Sequence, residues 1–362
     1  MSVLRWTTAV LLPAALLCFG LLVPSSLLMG QTPPIHPQPT RLTFDDTERS
    51  LSEWAAEFAR RANVEIDLSR ADPQRRCRLP IRQLPFWQAL DQLAEQTDHR
   101  LQVTSQGNRA KLSSDPRHRV PTSIQGAFRF AVRETRSRLD LAAGQARTEV
   151  IVEAVWEPSF KAYFWQWEAN SWRVDGRDGQ PLAATVEGTG RFPILGNDTP
   201  ELRLQIGQVP RSLTSLPRIV GRIRFVGTCQ MPQFVFRLDQ GTTVRQAEVE
   251  ARFAGLIRHG RLRIAPVELT YPKDMPEFES FQSFLVDHEA YLRRDDGRKI
   301  RLDQFDIQEV AEGRYRLRYF LREGTGGMAE LDRDNMWKLV VRVPGRIVEE
   351  LVGFELRDIP LP

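Results

Sequence analysis

Cysteine is scarce in this chain. Three occur in 362 residues, at 18, 77 and 229, which excludes a disulfide scaffold. Cys18 sits in the apolar N-terminal stretch, and Cys77 and Cys229 fall in different predicted domains, as buried free thiols or as one long-range disulfide. Histidine is nearly as rare, with five at 36, 99, 118, 259 and 288, none at ligand spacing. His288-Glu289 is followed by Ala290, Tyr291 and Leu292, so the zinc-protease helix pattern is absent. There is no Gly-x-Ser-x-Gly elbow, and Gly324, Gly326 and Gly327 lack the Lys-Ser/Thr of a phosphate loop. Charge of one sign is also lacking: 50 basic and 46 acidic residues leave a formal +4, intermixed along the chain, and nothing marks a nucleic-acid partner. No cofactor or metal is implied.

What is present begins with MSVLRWTTAVLLPAALLCFGLLVPSSLLMGQ. Arg5 precedes an apolar core from Ala9 to Val23, then come Pro24-Ser25-Ser26 and Gly30, the order a signal peptidase requires. The core is shorter than the ~20 residues that span a bilayer and contains Pro13. Residues 1–30 are therefore expected to be a signal peptide, with an uncleaved N-terminal anchor as the alternative. The mature chain, from about Gln31, is expected in the periplasm or at the cell surface, not as an integral membrane protein. Residues 31–40, QTPPIHPQPT, have the composition of an extended proline-rich linker.

From Arg41 the texture changes. RLTFDD alternates, and Ser50-Leu51-Ser52-Glu53 has the form of a capping box. Leu51, Trp54, Ala55, Phe58 and Ala62 then line one helical face. VEIDL and RCRLPI read as strands. Pro85 opens a second helix with Phe86, Leu90, Leu93 and Ala94 on one side, and LQVTSQ and RAKLSS flank Gly107-Asn108 as a hairpin. Over 41–114 this β-α-β-β-α-β-β order, carried by LTFDDTERSLSEWAAEFARRANVEI and RCRLPIRQLPFWQALDQLAEQTDHRLQV, resembles the short N-terminal module of secretins and TonB-dependent receptors. The resemblance covers under a quarter of the chain. It implies a periplasmic module that contacts protein partners without catalysis; no outer-membrane barrel follows, so a gate or receptor role does not carry over.

Beyond Gly126 strand follows strand. Val150, Val152, Ala154 and Trp156 alternate with Glu149 and Glu153; Ile219, Ile223 and Phe225 oppose Arg222 and Arg224; Tyr315, Leu317 and Tyr319 alternate with Arg314, Arg316 and Arg318. Such alternation marks antiparallel sheets buried on one side. The expected class is an α+β module followed by mostly antiparallel β, in two sandwich-like domains at 120–235 and 240–362. PRIVGRIRF near the end of the first echoes GRIVEELVGFEL near the end of the second, which leaves a duplication open. The close of the chain, PGRIVEELVGFELRDIPLP, is similar to that of exported bacterial β-rich proteins, a likeness that supplies no activity.

One stretch stands out as a candidate site: Tyr163, Phe164, Trp165, Trp167 and Trp172. Tryptophan and tyrosine anchor protein partners and stack on sugars, but on a strand they equally fill a sandwich core. Tyr163, Trp165, Trp167 and Trp172 are the candidate partner or glycan contacts. Asp175-Gly176-Arg177-Asp178-Gly179 and Asp295-Asp296-Gly297 have too few alternating oxygen donors for calcium and read as hairpin turns. The arginines at 314, 316 and 318 read as a solvated sheet face. No catalytic residues are assigned. The expectation is a non-enzymatic exported envelope protein acting through a protein partner in interaction or assembly, with a cell-surface carbohydrate-binding protein and an undetected hydrolase as alternatives.

Overall fold

The computed structural model describes residues 35–362 apart from 105–106, 115–119, 141–144, 187, 189, 196–198, 208, 211, 261, 277–284, 286 and 323–336. The expected export segment, the glycine loop at 324–327 and His118 lie outside the described residues. The first elements are β1 (Arg41–Phe44), β2 (Glu48–Ser50), α1 (Leu51–Ala62), β3 (Glu65–Arg70), β4 (Arg76–Arg78) and β5 (Ile81–Pro85), then α2 (Phe86–Gln96), β6 (Arg100–Thr104) and β7 (Arg109–Ser113). Ser50 Oγ accepts from the Glu53 backbone N–H at 3.3 Å, and the Glu53 carboxylate accepts from the Ser50 N–H at 2.7 Å, so the capping box closes. The helix stops at Asn63, whose φ of 54° is left-handed. Strands β1 and β5 pair antiparallel, as do β2 and β4, while β7 lies between β6, antiparallel, and β3, parallel. Trp54, Phe58, Phe86, Leu90 and Leu93 are fully buried in one core.

The middle of the chain supplies β8 (Thr122–Gln125), β9 (Phe128–Asp140), β10 (Gln145–Trp156), β11 (Lys161–Trp167) and β12 (Trp172–Asp175). After them come β13 (Pro181–Leu182), β14 (Ala184–Val186), β15 (Gly190–Pro193), β16 (Glu201–Gly207) and β17 (Ser215–Thr228). One sheet has the order β14-β16-β10-β9-β8, and the other is built around β17, with β12 and β11 beside it. The last third contributes β18 (Gln233–Arg237), β19 (Thr242–Gln246), β20 (Val249–Phe253), β21 (Ile257–His259), β22 (Leu262–Thr270) and β23 (Glu289–Arg294). It ends with β24 (Lys299–Arg301), β25 (Phe305–Ala311), β26 (Arg314–Arg322), β27 (Trp337–Arg342) and β28 (Val348–Pro360). Its sheets run β18-β27-β23-β24 and β19-β20-β22-β26-β25. The fold is thus mostly antiparallel β behind a small α+β unit.

The closing strand departs from the expected division at 240–362. β28 leaves the C-terminal sheets and pairs with β17 over nearly its whole length, from Ser215↔Pro360 to Gly227↔Val348. Val352, Phe354, Leu356 and Ile359 pack in the core of the middle unit beside Ile219, Ile223 and Phe225. Apolar alternation along a strand carries no information about its partner. The two echoing segments are therefore neighbours in one sheet.

Hydrogen bonds and packing fasten the N-terminal module to the middle unit. Trp87 Nε1 donates to the Ala127 carbonyl at 3.0 Å, Val155 of β10 packs in the module's core, and buried Arg129 of β9 bonds Asp91 of α2 at 3.2 and 3.4 Å. Gly107, at φ +94°, lets the β6–β7 hairpin meet the Trp156 carbonyl; a Cβ there would fall 1.9 Å from its oxygen. The linker is also held. His36 Nδ1 meets the Glu350 carboxylate, and the Thr40 N–H donates to Glu157 at 2.8 Å, so residues 36–40 lie against the body. No helix among the described residues is long and apolar enough to cross a membrane.

Candidate interaction surface

The four aromatic residues singled out in the sequence occupy three environments. A register shift between Ala162 and Phe164 turns Tyr163 into the core of the C-terminal unit, where it is 3% exposed and its hydroxyl has no hydrogen-bond partner. Such an irregularity re-aims a strand's side chains. Trp165 and Trp167 fill the middle core, packed edge to face at 4.7 Å, and Trp167 stacks on Phe192 at 4.5 Å and donates to the Gly188 carbonyl at 2.8 Å. Their ring faces are occupied by protein. Trp172 is half-buried, leaning with Phe354 over Gly221; a Cβ on that glycine would sit 2.5 Å from the indole. Its Nε1 is buried without an acceptor.

Trp172 stands at the edge of a groove that strand pairing explains. β28 takes one edge of β17, so β11 and β12 must share the other, β11 alongside residues 224–228 and β12 alongside 218–221. Between them Arg222 and Ile223 have no partner strand, and the chain crosses above the gap in a tight turn, Ala169–Ser171, closed by Ser171 N–H and Oγ bonds to the Glu168 carbonyl. The result is a groove of about 520 Å³ whose lining includes Trp167, Trp172, Arg173, Val220, Arg222, Arg224 and Leu351.

Residues directly opposite on paired strands share a face, so the outer face of this sheet can be read from the register. Arg224 faces Leu351, Arg222 faces Gly353, Val220 faces Glu355 and Arg218 faces Arg357. Arg173 is held by Asp175 at 2.5 Å, Arg218 by Glu355 at 2.8 Å, Arg224 by Glu349 at 2.6 Å, and Arg357 by Glu355 at 2.5 Å. The Arg218 guanidinium keeps the Glu355 carboxyl below its ordinary pKa. Among the described residues of this face Arg222 is exposed and has no carboxylate partner. Leu351 beside it is 60% exposed. The sequence showed Arg222 and Arg224 only as the polar side of a strand; nothing local revealed that one is paired and the other is not.

A second groove, about 880 Å³, runs between α2, β8 and the end of β28, with Arg129, Asp91 and His99 in its lining. Burial raises the Glu153 pKa while Arg129 opposes the rise. His99 Nε2 lies 3.2 Å from Ser114 Oγ, but its Nδ1 is buried without a partner, so no acid orients the ring as a nucleophile's base requires. His288 is packed on Phe305 with Nδ1 bonded to the Leu285 carbonyl, and burial lowers its pKa. Cys77 and Cys229 are free, and burial raises both thiols, Cys229 to about 12. In the two Asp-Gly segments that read as hairpin turns, Asp175 pairs with Arg173, Asp295 with Lys338 and Asp296 with Arg294. Among the described residues no group of three or more His, Cys, Asp and Glu could hold a metal ion. Of the arginine stripe, Arg316 is paired with Glu268 and Arg318 with Asp306.

Comparison with models of known protein families and with curated proteins finds no match for this chain.

Proposed function

We propose that this is a non-enzymatic protein of the bacterial envelope, exported by its N-terminal segment, whose work is to hold a protein partner on the outer face of the β17–β28 sheet. The observation that carries the reading is the depression in that face where β11 and β12 part: an unpaired arginine and a largely exposed leucine stand on it, and a half-buried tryptophan reaches its lining from the core side. Arginine and tryptophan are the side chains most enriched at the energetic centres of protein interfaces. The rigid attachment of the N-terminal module through Trp87, Arg129 and Gly107 supports a scaffold that presents fixed surfaces. A glycan reading has less to stand on, because Trp165 and Trp167 offer no open ring face for a sugar.

A photo-crosslinking amino acid at Leu351, with the same group at exposed Arg314 as control, tests this in the native envelope. A discrete protein adduct from position 351 and none from 314 is the expected result. No adduct at 351, or the same adducts from both positions, would overturn it.

A further inference from the structure

We infer that the segment held in this groove is an extended, acidic stretch of the partner, with a carboxylate on Arg222 and an aliphatic neighbour on Leu351; this rests on the interface reading above. Arg222 is flanked by two absences. On the β28 side its cross-strand neighbour is Gly353, which has no side chain, and on the other side neither β11 nor β12 reaches it. An arginine on a packed sheet normally lies against the residues opposite it and finds a carboxylate among them, as Arg218 and Arg224 do here. Arg222 has no side chain opposite it on β28 and no strand beside it on the other edge, where the 169–171 turn crosses.

The pairing geometry sharpens this. The Glu355 N–H points away from β17, since it donates to Ser123 Oγ of β8 at 3.1 Å. In an antiparallel ladder such residues alternate, so Gly353, two positions earlier, is also in a non-hydrogen-bonded pair, the close kind, with Arg222. A carboxylate in the space above Gly353 would therefore meet the guanidinium at salt-bridge range. Arg224 and Arg173 on either side are already paired with Glu349 and Asp175, and the one carboxylate of the lining, exposed Glu168 beside the turn, makes no ion pair with Arg222, which leaves Arg222 as the unmatched cation of the groove. Leu351, across from Arg224, lies next to Gly353 on the same face of β28. That places an apolar contact one step from the charged one, which suits an extended chain with side chains at a two-residue period.

The empty space permits a test that leaves Arg222 in place. Gly353 lacks the left-handed conformation that would require glycine, and a Cβ built on it comes no closer than 3.9 Å to any neighbour. Gly353→Glu should fold and supply the missing carboxylate in cis. Binding is measured by fluorescence anisotropy at low salt with a labelled decapeptide alternating Glu and Val, beside its Gln-for-Glu counterpart. Oligogalacturonate and phosphatidylglycerol vesicles serve as competing anions. The expected result is that the Glu peptide binds at least tenfold more tightly than the Gln peptide, that Gly353→Glu and Arg222→Gln each weaken it tenfold or more, and that Arg222→Lys recovers part of the loss. Equal binding of the two peptides, indifference to Gly353→Glu, or binding of the polysaccharide or the vesicles in place of the peptide would each overturn the assignment. The Leu351 photo-adduct separates this failure from that of the wider reading: an adduct that persists in Gly353→Glu keeps the interface and removes the acidic occupant, whereas no adduct in the unmodified chain removes both.

Discussion

Glu157 sits at the corner after β10, 1% exposed, with one carboxylate oxygen accepting the Thr40 N–H at 2.8 Å and the other without a partner. Burial raises its pKa from 4.5 to about 6, against the opposing pull of the Thr40 bond. A rise of that size corresponds to about 2 kcal/mol. The native state binds the proton more tightly than the unfolded chain, so this group's stabilising contribution is complete below about pH 4.5 and is lost as pH rises through about 6. Gln at this position cannot ionise and keeps an acceptor for Thr40. Its carboxamide N–H groups carry their own cost, which is the same at every pH. Glu157→Gln should therefore be about 2 kcal/mol more favourable relative to the parent at pH 8 than at pH 4, and the constant cancels in that difference. Urea unfolding of both proteins at the two pH values, followed by tryptophan fluorescence, measures it; the other carboxylates cancel as well. A double difference within ~0.5 kcal/mol of zero would refute the claim that this carboxylate is held charged at a cost.

Gly107→Ala must place a methyl group against the Trp156 carbonyl at a positive φ, and should destabilise by at least ~2 kcal/mol, with earlier proteolysis at the junction of the module and the middle unit. Leu90→Ala, at a fully buried site of α2, should cost about 2–5 kcal/mol in chemical denaturation; under ~1 kcal/mol would contradict the core assigned to that helix. Cys77 and Cys229 should resist a thiol reagent at pH 8 in the native protein and react in urea, because burial keeps both protonated.

The parts legible in the sequence were those fixed by neighbours along the chain. Ser50 and Glu53 are three residues apart, and their reciprocal bonds are a local event; the face of Trp54, Phe58 and Ala62 follows from helical period alone. Alternation likewise marked Ile219, Ile223 and Phe225 as inward. Pairing was not legible, because nothing within β28 names β17 as its neighbour across the intervening C-terminal unit. The likeness of PRIVGRIRF to GRIVEELVGFEL has a physical ground in this pairing: two strands side by side in one sheet, over one core, meet the same demands at alternate positions. Tyr163 and Trp165 differ in destination because of a one-residue irregularity that no composition signals. The groove at Arg222 depends on where two strands stop, on a glycine on a third, and on which carboxylates the other arginines have already taken.

The pairing of Gly227 with Val348 sets the order in which this molecule can be completed. Residues 229–347 leave the middle sheet and return to it at adjacent points, so the C-terminal unit is an insertion in a long hairpin, not a terminal appendage. A chain emerging from its N-terminus must keep one edge of β17 open until residues 348–360 arrive, and any truncation that removes them strips the central strand of the middle unit of its neighbour. Excising 229–347 and joining the two strands by a short turn would instead leave that sheet whole.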